Sequence, residues 1–218
     1  RELFDKHDCD KGTEKHHYYK EYEQYFESVR LEPLKFLEIG TYKGASTRAF
    51  HAYFPNATIY TIDIFSRRIA LPASAAILIA RRVEWLKADS TSPNVGIAIK
   101  DLWGEDIKFD FIIDDGAHWP EAIHKTFNNI FPFLKEGGKY FIEDMWPLSI
   151  MDEKELAHDF IKGQANLYSM PDNDKLMESL SIYNTTHYDR RRETGCTDTY
   201  MVVVDKMGLY LSWESACL

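Results

Sequence analysis

Acidic side chains close five of the apolar runs in this sequence. Glu38 sits in Lys35-Phe-Leu-Glu-Ile39, Asp63 follows Ala57-Thr-Ile-Tyr-Thr-Ile, and Asp89 follows Val83-Glu-Trp-Leu-Lys-Ala; Asp114 with Asp115 follows Phe109-Asp-Phe-Ile-Ile, and Glu143 with Asp144 follows Lys139-Tyr-Phe-Ile. One acid at a strand end is ordinarily a solvated turn residue or a helix cap; five such ends together point to a ligand. If the runs are neighbouring strands, Asp115, Glu143 and Asp144 crowd three carboxylates together, and like charges repel there unless a cation sits among them. Hard oxygen donors select Mg²⁺, Ca²⁺ or Mn²⁺ over zinc. A cation with three protein ligands keeps positions open for two vicinal hydroxyl groups and lowers the pKa of a hydroxyl it touches. His118 lies three residues beyond Asp115. Histidine titrates nearest neutrality and could take that proton as a general base. A lone histidine is more often structural; the neighbouring acids favour the base. Asp114 would serve the sheet end or a hydrogen bond behind the ligands.

The second constellation is Glu38-Ile-Gly40-x-x-x-Gly44, which supplies a tight turn at Gly40 and close helix packing at Gly44. It lacks the G-x-G-x-x-G spacing that seats a dinucleotide pyrophosphate, which counts against NAD and leaves a ligand with a ribose. Asp63, nineteen residues after Gly44, is placed either to accept two ribose hydroxyls or to cap the next segment.

These residues need strand ends on one edge of a sheet. Short β-branched or aromatic runs at 35–39, 57–63, 83–89, 109–114 and 139–143 read as strands, with two further candidates near 180–186 and 199–205. Helical spacing follows Thr13 (Tyr18, Tyr22, Tyr25, Phe26) and recurs at 45–53, 66–82, 152–162 and through Ile123, Phe127, Ile130 and Leu134, with a stop at Glu136-Gly137-Gly138. Strands alternating with helices give an α/β, doubly wound, mainly parallel sheet, and ligands bind such sheets at the carboxyl ends of the strands where the winding reverses.

A chain of 218 residues, 44% hydrophobic and 28% charged, is expected to be one large globular domain. Its net charge of −9 gives no general attraction to nucleic acid or an anionic membrane. The longest nearly apolar run, 71–80, is half what a membrane span needs. Three scattered cysteines, Cys9, Cys196 and Cys217, fit thiols in a reducing, cytoplasmic compartment. His7, Asp8, Asp10, His16 and His17 lack zinc-site spacing and read as a solvated turn, and Arg190-Arg-Arg192 as a solvated hairpin loop.

The acid-x-Gly-x-x-x-Gly motif with an acid closing the second strand resembles the class I S-adenosylmethionine-dependent methyltransferases. More narrowly, the chain resembles the macrocin- and mycinamicin-type macrolide-sugar O-methyltransferases. The residues concerned are Asp10-Lys-Gly-Thr13 with His17-Tyr18 and Tyr22, Leu37-Glu-Ile-Gly40, Tyr53-Phe-Pro-Asn-Ala57, Asp115-Gly-Ala-His118, and Leu134-Lys-Glu-Gly-Gly138 leading to Ile142-Glu-Asp144. They span 10–144. The family usually has Ser where Ala117 stands, and 145–218 carries no matching block.

The resemblance implies a Rossmann-like fold of seven strands, the last antiparallel, that transfers a methyl group to a hydroxyl of a small molecule, a sugar moiety first. It implies S-adenosyl-L-methionine at Lys11, Thr13, Tyr18, Glu38, Gly40, Gly44, Ser46, Asp63, Asp89, Ser90 and Asp114, with Asp89-Ser90 beside the adenine. Mg²⁺ or another hard divalent cation falls to Asp115, Glu143 and Asp144, and the base to His118. Lys11, Thr13, His17, Tyr18 and Tyr22 would form a lid that excludes water from the sulfonium. The chain then divides into a lid-and-helix segment (1–30), the methyltransferase domain (31–206) and a tail (207–218). Related enzymes often pair, which leaves a homo-oligomer open. A catechol-like O-methyltransferase, which typically carries Lys at position 118, and a non-catalytic nucleotide-binding domain are the alternatives. The acceptor walls would come from 65–82 and 145–198, with Trp146, Met151, Tyr168, Tyr183 and His187 as candidates.

Overall fold

Alternation along the strands decides how this chain folds. In β1 (Lys35–Ile39), Phe36 faces one side of the sheet and Leu37 and Ile39 the other, and all three are buried. A strand apolar on both faces needs a helical layer on each. The structure, a computed structural model, describes residues 1–65, 72–145, 176–196 and 198–207. Among these, seven strands form one sheet: β1, β2 (Thr58–Asp63), β3 (Val83–Lys87), β4 (Phe109–Asp114), β5 (Leu134–Ile142), β6 (Asn184–Asp189) and β7 (Tyr200–Asp205). Their order is β3-β2-β1-β4-β5-β7-β6. β3 through β5 are parallel, and β7 runs antiparallel to both β5 and β6. The expected doubly wound sheet with an antiparallel last strand is present. Winding reverses between β1 and β4, where Ile39 pairs with Asp114. The acid-bearing ends therefore lie side by side.

One face is covered by α1 (Glu2–Lys6), α2 (Tyr19–Phe26), α3 (Ala45–Tyr53) and α4 (Pro72–Leu78), the other by α5 (Val95–Trp103) and α6 (Pro120–Ile130). A short α7 (Arg191–Thr194) joins β6 to β7. Phe26 of α2 lies edge-on to Phe36, Phe54, Phe111 and Phe141 at 5.0 to 5.8 Å between ring centres, contacts worth about 0.5–1.5 kcal/mol each beyond burial. No helix among the described residues is long and apolar enough to cross a membrane.

Several expectations need correction. Residues 2–6 are helical, ahead of the turn at His7 and Asp8. Helix α5 was not anticipated: Val95 and Ile99 carry the buried spacing, but exposed Ile97 and Leu102 blur its polar face. The Gly137-Gly138 pair does not precede β5 but lies inside it; Gly137 has φ +79° and the pairing with β4 shifts register there. The next strand begins at Asn184, since residues 176–180 are helical. Of the arginine run only Arg192 is exposed. Arg190 Nε donates to Glu21 on α2 (2.6 Å), and Arg191 is buried against Asp189. The helix expected at 152–162, the tail from 208, and Trp146, Met151 and Tyr168 lie outside the described residues. Tyr183, half-buried, packs on Phe127 and Phe131 against the core.

Candidate active site

A cavity of about 1020 Å³ opens at the carboxyl ends of the strands. Of the expected site residues, Gly40, Asp63, Asp89, Ser90, Asp115, His118 and Asp144 line it, together with Asp10, Tyr42, Phe65, Thr91 and Asp198. At the switch point two main-chain bonds lock the turns together: Gly40 N–H donates to Ile62 O and Asp115 N–H to Ile39 O, both at 2.9 Å. Gly40 has φ +93°, and a Cβ there would meet Asp115 O at 2.0 Å. Only glycine allows this approach. Asp63 accepts from Tyr42 N–H (2.8 Å) and Phe65 N–H (2.6 Å). A carboxylate has about four acceptor sites, so others remain for the cavity. Asp89 accepts from the Thr91 N–H and hydroxyl (2.9 and 2.7 Å), a local turn, and the Ser90 hydroxyl pairs with Thr126 (2.9 Å).

The second end of the cavity is acidic. Ligand atoms of Asp115, His118 and Asp144 all lie within 4.8 Å of one another. His118 Nε2 stands 3.9 Å from Asp115 Oδ1 and 4.0 Å from Asp144 Oδ2, too far to hydrogen-bond either. The imidazole faces the gap between two carboxylate oxygens. Asp144 has φ +53°, unusual for a residue with a side chain, and burial pushes its carboxyl above the usual carboxylate range, against the pull of His16 and His118.

Beneath these acids lies a layer of polar side chains from the N-terminal segment. Lys11, 1% exposed, places Nζ 2.5 Å from Asp115 Oδ2 and 2.6 Å from Glu143 Oε2. Burial opposes its charge, yet Asp115 and Glu143 together hold its pKa well above the ordinary lysine value. Tyr22 donates its hydroxyl to Glu143 Oε1. Tyr18, wholly buried, donates to Asp144 Oδ1 at 2.9 Å. His16 is also buried, and burial lowers its pKa. Its Nδ1 pairs with Thr199 Oγ1 (2.8 Å), and its Nε2 lies 3.6 Å from Asp144 Oδ1, which already accepts from Tyr18.

Eight of the residues expected at the site do not line the cavity. Lys11 and Tyr18 lie ahead of α2, which packs on the sheet, and reach the carboxylates from below. Thr13 donates its N–H to Asp5 (2.8 Å). Glu38 faces α3, where the Thr47 hydroxyl donates to it and Ser46 is buried, and burial pushes its carboxyl up to about 7. Gly44, at φ +71°, lets Ile77 approach. Asp114 shapes its own turn, accepting from Gly116 N–H (3.3 Å) and Tyr140 (3.1 Å), and burial pushes it to about 7. Glu143 turns both oxygens to Lys11 and Tyr22, away from the cavity. The sequence places His16 in a solvated turn, whereas it is buried, and no spacing marks Lys11, Tyr18 and Tyr22 as partners of acids. The helical stripe Tyr18, Tyr22, Phe26 signals only burial, and buried phenols need acceptors.

The demethylmacrocin O-methyltransferase of Streptomyces fradiae is 27% identical over 194 residues, 86% of this chain and 45% of that protein. The L-olivosyl-oleandolide 3-O-methyltransferase of Streptomyces antibioticus is 30% identical over 153 residues, 65% of this chain and 37% of that protein. The chain thus spans less than half the length of these curated relatives. In fold it is similar to the MycE methyltransferase from the mycinamycin biosynthetic pathway, solved with Mg, SAH and mycinamycin VI. The TM-score is 0.65 at 22% identity, covering 94% of this chain and 54% of that one. A family model described as a methyltransferase domain matches residues 37–145. That match takes in half of the 218 residues, from β1 and the Gly40 turn through His118 to Met145, just past Asp144, and the chain belongs to this methyltransferase-domain family.

Proposed function

We propose that the cavity binds S-adenosylmethionine and a hard divalent cation and transfers a methyl group to a hydroxyl of a small molecule, a sugar moiety first. The observation that supports this most is the junction of the Gly40–Asp63 turn with a pair of aspartates that each show one oxygen to His118.

Both groups fit the residues present. The Gly40 turn is a cradle that a Cβ would fill, beside an acid with acceptor capacity for ribose hydroxyls. The oxygens of Asp115 and Asp144, with a ring nitrogen of His118 close by, are donors that suit Mg²⁺ or Mn²⁺. When bound, S-adenosylmethionine supplies a methyl on a sulfonium and the cation supplies positive charge that eases ionisation of a nearby hydroxyl.

The chain's own residues do the rest. Asp63 would orient the ribose, and Asp115 with Asp144 would hold the cation. His118 Nε2, unbonded and on a side chain 36% exposed, takes the acceptor's proton. Glu143 contributes through Lys11 rather than as a donor to the cation. The relatives' names, one containing an olivosyl sugar, support a glycosylated acceptor.

Calorimetric titration with S-adenosylhomocysteine tests the reading. The parent chain is expected to bind it and not NAD, and Asp63→Ala to weaken binding about tenfold or more, the worth of one charge-assisted hydrogen bond. Unchanged affinity in the variant, or tight NAD binding by the parent, contradicts it.

A further inference from the structure

We infer that Tyr18 is the positioning residue of the cation site, fixing one oxygen and the backbone of Asp144 so that its other oxygen is held toward the cavity. The inference rests on the cation reading above.

The flanking backbone has partners in the sheet: Glu143 N–H donates to Asp114 O and Met145 N–H to Tyr200 O, both at 3.0 Å. Between them, the left-handed turn at Asp144 takes its own N–H out of that ladder, and this N–H donates to the Tyr18 hydroxyl oxygen (3.2 Å). The same hydroxyl donates to Asp144 Oδ1 (2.9 Å), with Asp198 O as its longer alternative at 3.4 Å. One phenol therefore closes on the main chain and the side chain of a single residue. It has little freedom to move: the ring is fully buried and stacks on His16 at 5.2 Å with an 11° tilt.

Asp115 shows the same division of labour. Lys11 takes Oδ2, and Oδ1 is left facing His118. Asp115 and Asp144 thus each have one oxygen held from beneath and one presented, the arrangement by which hydrogen-bond partners behind a ligand orient it. Tyr22 makes a natural control. It is the same residue type in the same segment, but its hydroxyl serves Glu143, which presents neither oxygen to the cavity.

The test is titration of Mn²⁺ alone into the parent chain, Tyr18→Phe and Tyr22→Phe. Free Mn²⁺ is counted by electron paramagnetic resonance and the folded fraction by circular dichroism. Neither substitution changes charge, so a change in affinity cannot come from net electrostatics. Each removes one hydroxyl from a domain whose core it leaves filled, and both variants are expected to fold. Tyr18→Phe is expected to weaken Mn²⁺ binding about 10- to 100-fold per folded molecule. Tyr22→Phe is expected to keep the parent's Mn²⁺ affinity, and S-adenosylhomocysteine affinity is expected to be unchanged in both.

A lowered melting temperature with parental Mn²⁺ affinity in Tyr18→Phe makes the tyrosine merely structural and overturns the inference. Equal weakening by the two substitutions overturns it as well, since that reports a loosened segment. Loss of S-adenosylhomocysteine binding with Mn²⁺ binding intact moves Tyr18 to the methyl donor and does the same. A parent chain that binds no Mn²⁺ removes the cation reading itself, and the inference falls with it.

Discussion

Lys11→Met is expected to destabilise the fold by about 3 kcal/mol, the low end of the cost of removing one partner from a buried ion pair. The substitution leaves Asp115 and Glu143 without the ammonium that lies 2.5 and 2.6 Å from them. The low end applies because Glu143, fully enclosed, can take up a proton instead of staying charged. For a chain of this size that is a fall of roughly 6–12 °C in melting temperature. Glu143→Gln in the same chain is expected to recover part of the loss, since the orphaned acid is then neutral. A Lys11→Met variant that melts within about 1 °C of the parent in thermal denaturation contradicts the buried pair.

His118→Ala is expected to lower kcat by roughly 10² to 10⁴, the usual worth of a positioned base. Formation of S-adenosylhomocysteine is measured with an acceptor that the parent methylates. The side chain hydrogen-bonds to neither aspartate and is 36% exposed, so its removal leaves no buried partner unsatisfied. Melting temperature and S-adenosylhomocysteine affinity are therefore expected to stay near the parent's. A structural histidine reverses this pattern. If turnover per folded molecule survives while stability falls, His118 leaves the mechanism.

Some of this was written in local sequence and some was not. β1, α3 and β4 begin and end where their apolar runs do, because Gly40, Gly44 and the acids punctuate them. Asp115, His118 and Asp144 converge because they follow two paired strands, a consequence of sheet geometry that alternation alone forecasts. Which oxygen each acid presents is another matter. Lys11 meets Asp115 across 104 positions, Tyr22 meets Glu143 across 121, and Tyr18 meets Asp144 across 126. No periodicity encodes those pairings. His16 reads as part of a solvated turn, whereas packing of α2 against Phe141 and Phe111 draws its segment under the strand ends. Glu143 illustrates the consequence: its sequence position places it beside Asp144, and its carboxylate meets a lysine 132 residues earlier.

The most direct test of the central claim is a crystal structure grown with S-adenosylhomocysteine and Mn²⁺, with diffraction recorded at an energy where manganese scatters anomalously. The account predicts a nucleoside against Gly40 and Asp63 and one anomalous peak within ligand distance of Asp115 and Asp144, on the His118 side. A cavity that stays empty at saturating ligand, or a manganese peak lodged where the Lys11 ammonium now sits between Asp115 and Glu143, would contradict it.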